Sequence, residues 1–431
     1  MSQGKGVGHR KLGGGIALVL TLTLLNTINY TDRALISILA QPIKADLHLS
    51  DLQIGLLSGF AFALVYSVLA LPLSRIIDRG YHKVAIIGST ITWSIMTALG
   101  GFANSFWSLA AMRIGVALGE ASLHPASHSL ISLRLPVSAR GKALALFSMG
   151  LPLGVGLGSF FGGWLSDDHG WRTAFLVLGP VGLLTVPLLL FVLPSTREQV
   201  QAQASAPVSN GKFSDLTSAL ALLWKRPVFR FLFVGQAIIS MFGFSLTAFV
   251  GAFFMRVHGW SALQTGSFIA FSNGLGGSIG LLLGGVVFDF VGKRWPRIQM
   301  LPIAAALLLS GSLAILAWLV PSSPASAVCA FLATFLYLSA AVPPIAMAQS
   351  VAEPHMRATA SALMTLSASL IGATAGPLLV GATSDFLTPI YGARGIAWAL
   401  VGISCSQLAG AYCFWRAGRS RAQDGHTPPS A

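Results

Sequence analysis

Asp32 and Arg33 stand side by side in LNTINYTDRALIS, residues 25–37, inside a stretch that is otherwise apolar or neutral. Arg113, Glu120, His124 and His128 follow at spacings of seven, four and four. On an α-helix these spacings place all four on one stripe about 80° wide. Two carboxylates, two guanidiniums and two imidazoles can then surround one cavity. Such a set suits proton chemistry, because desolvation favours a neutral carboxylic acid while a nearby Arg favours the carboxylate, so a change of surroundings switches a proton on or off. An unpaired charge in that setting is heavily penalised. Asp32 is therefore expected to pair with Arg113 or Arg33, and Glu120 with Arg113. Glu120, His124 and His128 also fall at i, i+4 and i+8, as metal ligands might be arranged on paper, but three successive turns cover about 12 Å, too far for one ion, and Pro125 disturbs the local helix. No metal and no cofactor is expected; the coupling ion is the proton.

The elements that position these groups follow from composition. Of 431 residues 54% are hydrophobic and 9% charged, and the mean hydropathy is +0.74. Soluble chains of this length do not have that composition. A bilayer core of about 30 Å needs about 20 apolar residues per helix. Windows bounded by charge, Pro or Gly clusters give spans near 13–40, 54–77, 84–103, 106–132, 142–166, 172–194, 228–255, 264–291, 298–320, 326–350, 357–384 and 394–416. The formal charge of +14 then reports topology. Only Lys44, Arg172, Arg256 and Arg394 fall on the side of the odd-numbered connections, and only Arg33 and Arg113 lie deep inside the membrane; the other lysines and arginines lie on the side of the termini and even-numbered connections. The positive-inside rule makes both termini cytoplasmic and removes any need for a nucleic-acid partner, though some basic residues can touch anionic lipid heads. The first apolar stretch is too long for a signal peptide and is kept as span 1. Cys329, Cys405 and Cys413 all fall in spans and are expected to be apolar filler.

Residues 195–227 are the only long polar interval and divide the spans six and six. The expected organisation is a six-helix bundle over 1–194, a cytoplasmic linker over 195–227, a second bundle over 228–416 and a cytoplasmic tail over 417–431. The stretch FSDLTSALALLWKRP reads as a short surface helix. The two halves are related by an internal repeat. PLSRIIDRGYHK matches GGVVFDFVGKR, aligning Asp78 with Asp289; PVSARGKALAL matches PHMRATASAL, aligning Arg140 with Arg357; GGWLSD ends at Asp167 as VGATSD ends at Asp385. An Asp at a helix end can accept bonds from the N-terminus of a neighbouring helix and pair with nearby Arg. Asp78, Arg79, Lys83, Arg140, Asp289 and Arg357 are accordingly expected to form a cytoplasmic gate.

The loop copy Gly285, Asp289, Gly292, Lys293 and Arg294 resembles the G-x-x-x-D-x-x-G-[RK]-[RK] signature of the major facilitator superfamily. The first copy keeps Asp78, Arg79 and Lys83 but has Ser74 and Tyr81 for the glycines. NYTDR, LSDLQIGLLSGFAFALVYSVLALPLSRIIDR, RIGVALGEASLHPA, LFSMGLPLGVGLGSFFGG and GWRTAF together resemble the Spinster-like branch over spans 1–6. Organic-anion symporters share the N-Y-x-D-R start and the R…G-x-x-E-A pattern of span 4; the GLPLGVGLG run favours Spinster. The resemblance implies an all-α fold of twelve transmembrane helices in two six-helix bundles around a central cavity. It also implies Asp32 and Glu120 as protonation sites, Arg33 and Arg113 as their partners or as contacts for a substrate head, and a lysolipid or sphingoid-type substrate. His124 is a further candidate beside them.

Spans 7–12 carry no Lys, Arg, Asp or Glu near their middles. Their neutral polar residues include Gln236, Asn273, Tyr337 and Gln349, among Phe231, Phe242, Phe244, Phe249 and Phe271. A charged wall facing an apolar one suits an amphiphile. The glycine runs GLPLGVGLGSFFGG and GATAGPLLVG predict close helix packing, with kinks at Pro152 and Pro377. No phosphate-binding G-x-x-x-x-G-K-[ST], G-x-S-x-G or H-E-x-x-H occurs, which argues against a nucleotide-driven pump or a membrane enzyme. The sequence therefore points to a monomeric, proton-coupled secondary transporter in a bacterial inner membrane. A symporter of dicarboxylates or sugar acids and a non-transporting receptor on the same fold stay open.

Overall fold

The computed structural model describes residues 5–195, 221–353 and 356–423. The expected spans all contain helix. Among the described residues, eight continuous helical runs are long and apolar enough to cross a membrane by length and composition, and the run Thr359–Ser420 holds two of the expected spans. Outside those eight lie Lys5–Ile38, the tract 51–78 and the tract 106–134. These three carry the charged residues or the helix breaks that the site below requires. Of the expected surface helix before span 7, residues 221–227 are described and 221–224 are helical; 213–220 lie outside the described residues. The final helix continues to Gln423, past the boundary expected at 416.

Large apolar side chains on the outside, such as Phe191 at 90% exposed and Trp107 at 78%, mark faces that belong against lipid rather than water. Inside a bilayer every backbone N–H and C=O must be satisfied within its own segment, which is why the chain is helical throughout these tracts.

The described residues fall into two compact units. One lies within Met1–His48, Ala61–Val208 and Ser261–Ala270, the other within Leu49–Phe60, Ser209–Trp260 and Phe271–Ala431. Each unit is thus most of one sequence half, except that residues 49–60 pack with the second unit and 261–270 with the first. Two of its changes of unit fall inside a continuous helical tract, at Phe60–Ala61 and at Ala270–Phe271. Both crossings touch π-helical segments, Leu56–Phe60 and Ala270–Gly277. The wider helical turn occurs mostly as single insertions in otherwise regular helices, often where function needs an irregularity.

The first unit has a core built on Leu18, Leu22, Leu25, Trp93, Leu130 and Phe147. Its closest helix pair is Lys5–Ile38 against Gly150–His169. The glycine run predicted this contact. A Cβ at Gly154 would collide with the Thr27 carbonyl oxygen, and one at Gly158 with that of Thr31. The two backbones approach where side chains are missing, so the register of Asp32 is set by the helix behind it. In the second unit Gly372 and Gly376 perform the same service against Ser240 and Met241. Here Pro377 lies just after a π-helical segment, Ser367–Gly372, at the expected irregularity.

We expect Gly158→Leu to lower the thermal stability of the purified protein by about 1–3 kcal/mol, the usual cost of overpacking. Gly88, whose added Cβ would meet nothing within 4 Å, serves as control. Equal melting of Gly158→Leu and Gly88→Leu would refute the close-packing role.

Candidate functional site

The chemistry-bearing residues of the first unit come together. Asp32 and Arg33 lie near the end of Lys5–Ile38. Arg113 and Glu120 lie on Phe106–Glu120, and His124 and His128 on Leu123–Arg134. The expected single stripe is interrupted at Ala121–Ser122. Pro125 is the cause: it has no N–H to give the Ala121 carbonyl, so the helical ladder loses a rung there.

Glu120 pairs with Arg33, a partner not expected for it. Arg33 Nε donates to Glu120 Oε2 at 2.5 Å, and Thr97 Oγ1 donates to Asp32 Oδ2 at 3.3 Å. The reason is steric reach: Arg33 leaves its helix toward the tract 61–78 and Glu120, and its guanidinium lies over three rings there. Its Cζ is 5.0 Å from the centroid of Tyr30, 4.6 Å from Phe62 and 5.1 Å from Tyr66. The Arg113 guanidinium also lies over this cluster, 5.1 Å from the Phe62 centroid. Tyr66 hydroxyl is 3.4 Å from His124 Nδ1. His124 also meets Tyr30 edge-on and packs against His128 and Phe147. His128 itself is exposed.

Asp32 and Glu120 are 1% and 0% exposed. A small cavity of about 10 Å³, room for one water, lies beside Asp32 and is lined by Met96, Thr97, Met112, Arg113 and Phe175 among others. Asp32 Oδ1, Glu120 Oε1 and Arg33 Nη2 are buried without a hydrogen-bond partner. Buried polar atoms are nearly always satisfied, and these three lie in one cluster.

Two other ion pairs give the contrast. In the second unit Asp51 is fully buried. It accepts from Arg256 Nη1 at 2.7 Å and Nη2 at 2.5 Å, and from Ser384 Oγ at 2.6 Å. That is a bidentate pair with its spare lone pair used. In the first unit Asp46 and Arg172 meet at 2.6 Å with both side chains more than 40% exposed. The hydrogen bond from Arg172 holds the Asp46 carboxyl below the usual carboxylate range. A depressed carboxylate stabilises the fold above its unfolded pKa and loses that contribution as pH falls through the folded one. At such exposure the contribution is small. The Glu120–Arg33 pair is neither type: it is buried like the first and only half made.

Asp51 was not legible as a site residue. Its neighbourhood also carries the carboxylate-to-helix contact expected of Asp78 and Asp289. Asp385 accepts the amides of Asp51 and Leu52, each at 2.8 Å. In the other unit Asp167 accepts those of Ala262 and Leu263 at 3.0 and 2.8 Å. Both receiving helices begin with a capping box, at Ser50–Gln53 and Ser261–Gln264. The repeated S-x-L-Q was the available signal. Of the expected gate residues, Arg79, Asp289 and Arg357 are exposed. Lys83 donates to the Leu190 carbonyl and Arg140 to that of Leu135. The side chain of Asp78 lies outside the described residues.

The second unit supplies fewer wall candidates than expected. Phe242 and Phe249 are buried in its interior and Gln236 is 5% exposed. Phe244 and Phe271 stay exposed. Phe242 and Phe249 repeat at a spacing of seven, so both turn to the inner face of one helix.

The family model of the Major Facilitator Superfamily matches residues 22–377. An MFS-type efflux pump of Mycolicibacterium smegmatis is 35% identical over 402 residues, covering 93% of this chain and 92% of the pump. A probable galactarate/D-glucarate transporter of Bacillus subtilis, GudP, is 29% identical over 333 residues, with 70% and 72% covered. Among solved structures, a bacterial homologue of the human lysosomal transporter Spinster, in an inward-facing and unoccupied conformation, superposes with a TM-score of 0.84 at 27% identity, covering 96% of this chain and 99% of that one.

The contrast between the pairs is testable by unfolding. Asp51→Ala should cost about 3–5 kcal/mol, because Arg256 is left buried and uncompensated. Glu120→Gln should cost clearly less, since Arg33 keeps 22% of its side chain exposed. Equal losses in thermal or chemical denaturation would mean that the Glu120 pair is simply part of the scaffold.

Proposed function

Because this chain belongs to the major facilitator superfamily and is Spinster-like within it, we propose that this integral membrane transporter couples movement of an amphiphilic, lysolipid or sphingoid-type substrate to protons. The observation that carries this reading is the half-made Arg33–Glu120 pair beside Asp32. A carboxylate with one free, buried oxygen has a place for a proton, and its partner guanidinium has enough exposure to leave when the proton arrives. Asp32 and Glu120 are then the proton sites. Arg33, Arg113 and His124 hold them or receive the substrate head.

The cycle is alternating access. A proton bound in one orientation of the cleft is released in the other, because the balance between desolvation and the nearby Arg changes with exposure. Asp78, Arg79, Lys83, Arg140, Asp289 and Arg357 would act as the cytoplasmic gate. The protein works as a monomer in a bacterial inner membrane with both termini cytoplasmic, and needs no cofactor beyond the proton. The likeness to an efflux pump favours outward movement of the substrate. A second reading is a proton-coupled symporter of small organic anions such as sugar acids. The similarity to GudP favours it, as do two guanidiniums in one cluster.

Purified protein in liposomes, offered a panel of lysolipids and small organic anions, tests both readings through substrate-dependent proton flux. We expect lysolipids to drive flux, Asp32→Asn to reduce it to that of empty liposomes, and Glu120→Gln to shift or abolish its pH dependence. Flux with organic anions alone would select the second reading. An unchanged rate and pH profile in both variants would overturn proton coupling at these residues.

A further inference from the structure

Resting on the proton reading above, we infer that Asp32 exchanges its proton through a passage of its own, which runs inside the first unit from the helix ends beside Asp46 and Arg172 and is plugged by Phe175. The small cavity beside Asp32 is the inner part of this passage. Besides Asp32 its walls come from Ile36 at the end of Lys5–Ile38, Gly100 at the end of His82–Gly100, Leu109 near the start of Phe106–Glu120 and Phe175 near the start of Trp171–Leu178. Arg172 ties those four ends together, donating to Asp46 Oδ2 at 2.6 Å and to the Ala103 carbonyl at 3.2 Å. At about 1.5 Å per residue, Asp32 lies about 9 Å beneath this end of the unit and Glu120 about 21 Å.

The passage is separate from the Arg33–Glu120 pair. Successive residues leave a helix about 100° apart, so Arg33 turns to Glu120 and Phe62 while Asp32 turns to the cavity. Among the described residues, none of the tract 61–78 lines it. A water there has three polar neighbours, the Asp32 carboxyl with its unpartnered Oδ1, the Thr97 hydroxyl and Arg113, and a buried water uses two to four. The charged groups that face Asp32 are Arg113 and Glu120, both on Phe106–Glu120. His82–Gly100 offers the neutral Thr97, and Gly154 and Gly158 bring no side chain.

Between this polar pocket and the surface the walls are apolar, with Leu109 1% and Phe175 5% exposed. The Phe175 ring closes the way. It lies against Gly100, where a Cβ would come within 3.2 Å of the ring, and Trp171 meets it edge-on with centroids 5.9 Å apart. Beyond it Trp171 Nε1 donates to Asp46 Oδ2 at 3.3 Å, and the Asp46–Arg172 pair stands in solvent. One aromatic ring and its packing thus separate a buried acid from an exposed ion pair. A proton crosses when Phe175 swings aside and water bridges the gap. In the topology proposed above this end faces away from the cytoplasm, so the proton enters from the outer side.

Infrared spectroscopy of the full-length protein in lipid nanodiscs tests this with protons as the only ligand. The protonated-carboxyl band lost in Asp32→Asn reports Asp32, and its shift after transfer to heavy water gives the exchange rate there. Phe175→Ala, or the milder Phe175→Leu, should speed that exchange about tenfold or more, and Leu109→Trp or Met112→Phe should slow it by about as much. The backbone amides should exchange at the wild-type rate in all four variants. An Asp32 rate that none of them changes, or one that rises only together with the amide rate, would overturn the passage while leaving Asp32 a proton site. If Asp32→Asn removes no carboxyl band at any pH, Asp32 is not a proton site, and that part of the transport reading falls together with the passage.

Discussion

Glu120 has no exposed surface and accepts from Nε of Arg33, whose side chain is 22% exposed. A carboxylate in that position has two ways of avoiding an uncompensated charge, a tighter ion pair or a proton, and the structure leaves room for both. Asp32 beside it is equally buried, with a single long bond from the neutral Thr97 hydroxyl. The guanidiniums of Arg33 and Arg113 share the cluster with these two acids. The placement of those four side chains is the constraint that the first unit is built to maintain.

Much of the surrounding packing can be understood as holding that constraint. The glycines of Gly150–His169 bring a second backbone against the face of Lys5–Ile38 opposite the site. Pro125 breaks the ladder after Glu120 and lets His124 turn toward Tyr66. Fully satisfied polar contacts lie elsewhere, at Asp51–Arg256–Ser384 and at the helix starts received by Asp167 and Asp385. The rigid interactions therefore lie where segments 49–60 and 261–270 join their units, each next to a π-helical segment. The incomplete interactions lie in the middle of the first unit.

The helices and the charged residues among them were readable from composition and spacing, because a bilayer tolerates few alternatives to apolar helix and few reasons for a charge. The glycine contacts were readable for a similar reason: small residues in a row on a long helix have little to do except admit a neighbour. The partner of Glu120 was not. Spacing along one helix fixes which face Arg113 and Glu120 share, but not where a long side chain from another helix reaches, so Arg33 and its aromatic surroundings emerged only in three dimensions. Asp51 read as a loop residue because its partners, Arg256 and Ser384, are 205 and 333 positions away. The repeat was visible through Asp167 and Asp385, yet their contacts with helix starts depend on the fold.

The central claim is that Glu120 changes its protonation as substrate binds, and infrared difference spectroscopy of the purified protein observes a carboxyl group directly. Substrate added to the wild type should produce a protonated-carboxyl band or remove one, and the band should vanish in Glu120→Gln while persisting in Asp51→Asn. A substrate-induced spectrum with no carboxyl band, or one unchanged in Glu120→Gln and Asp32→Asn alike, would contradict the account.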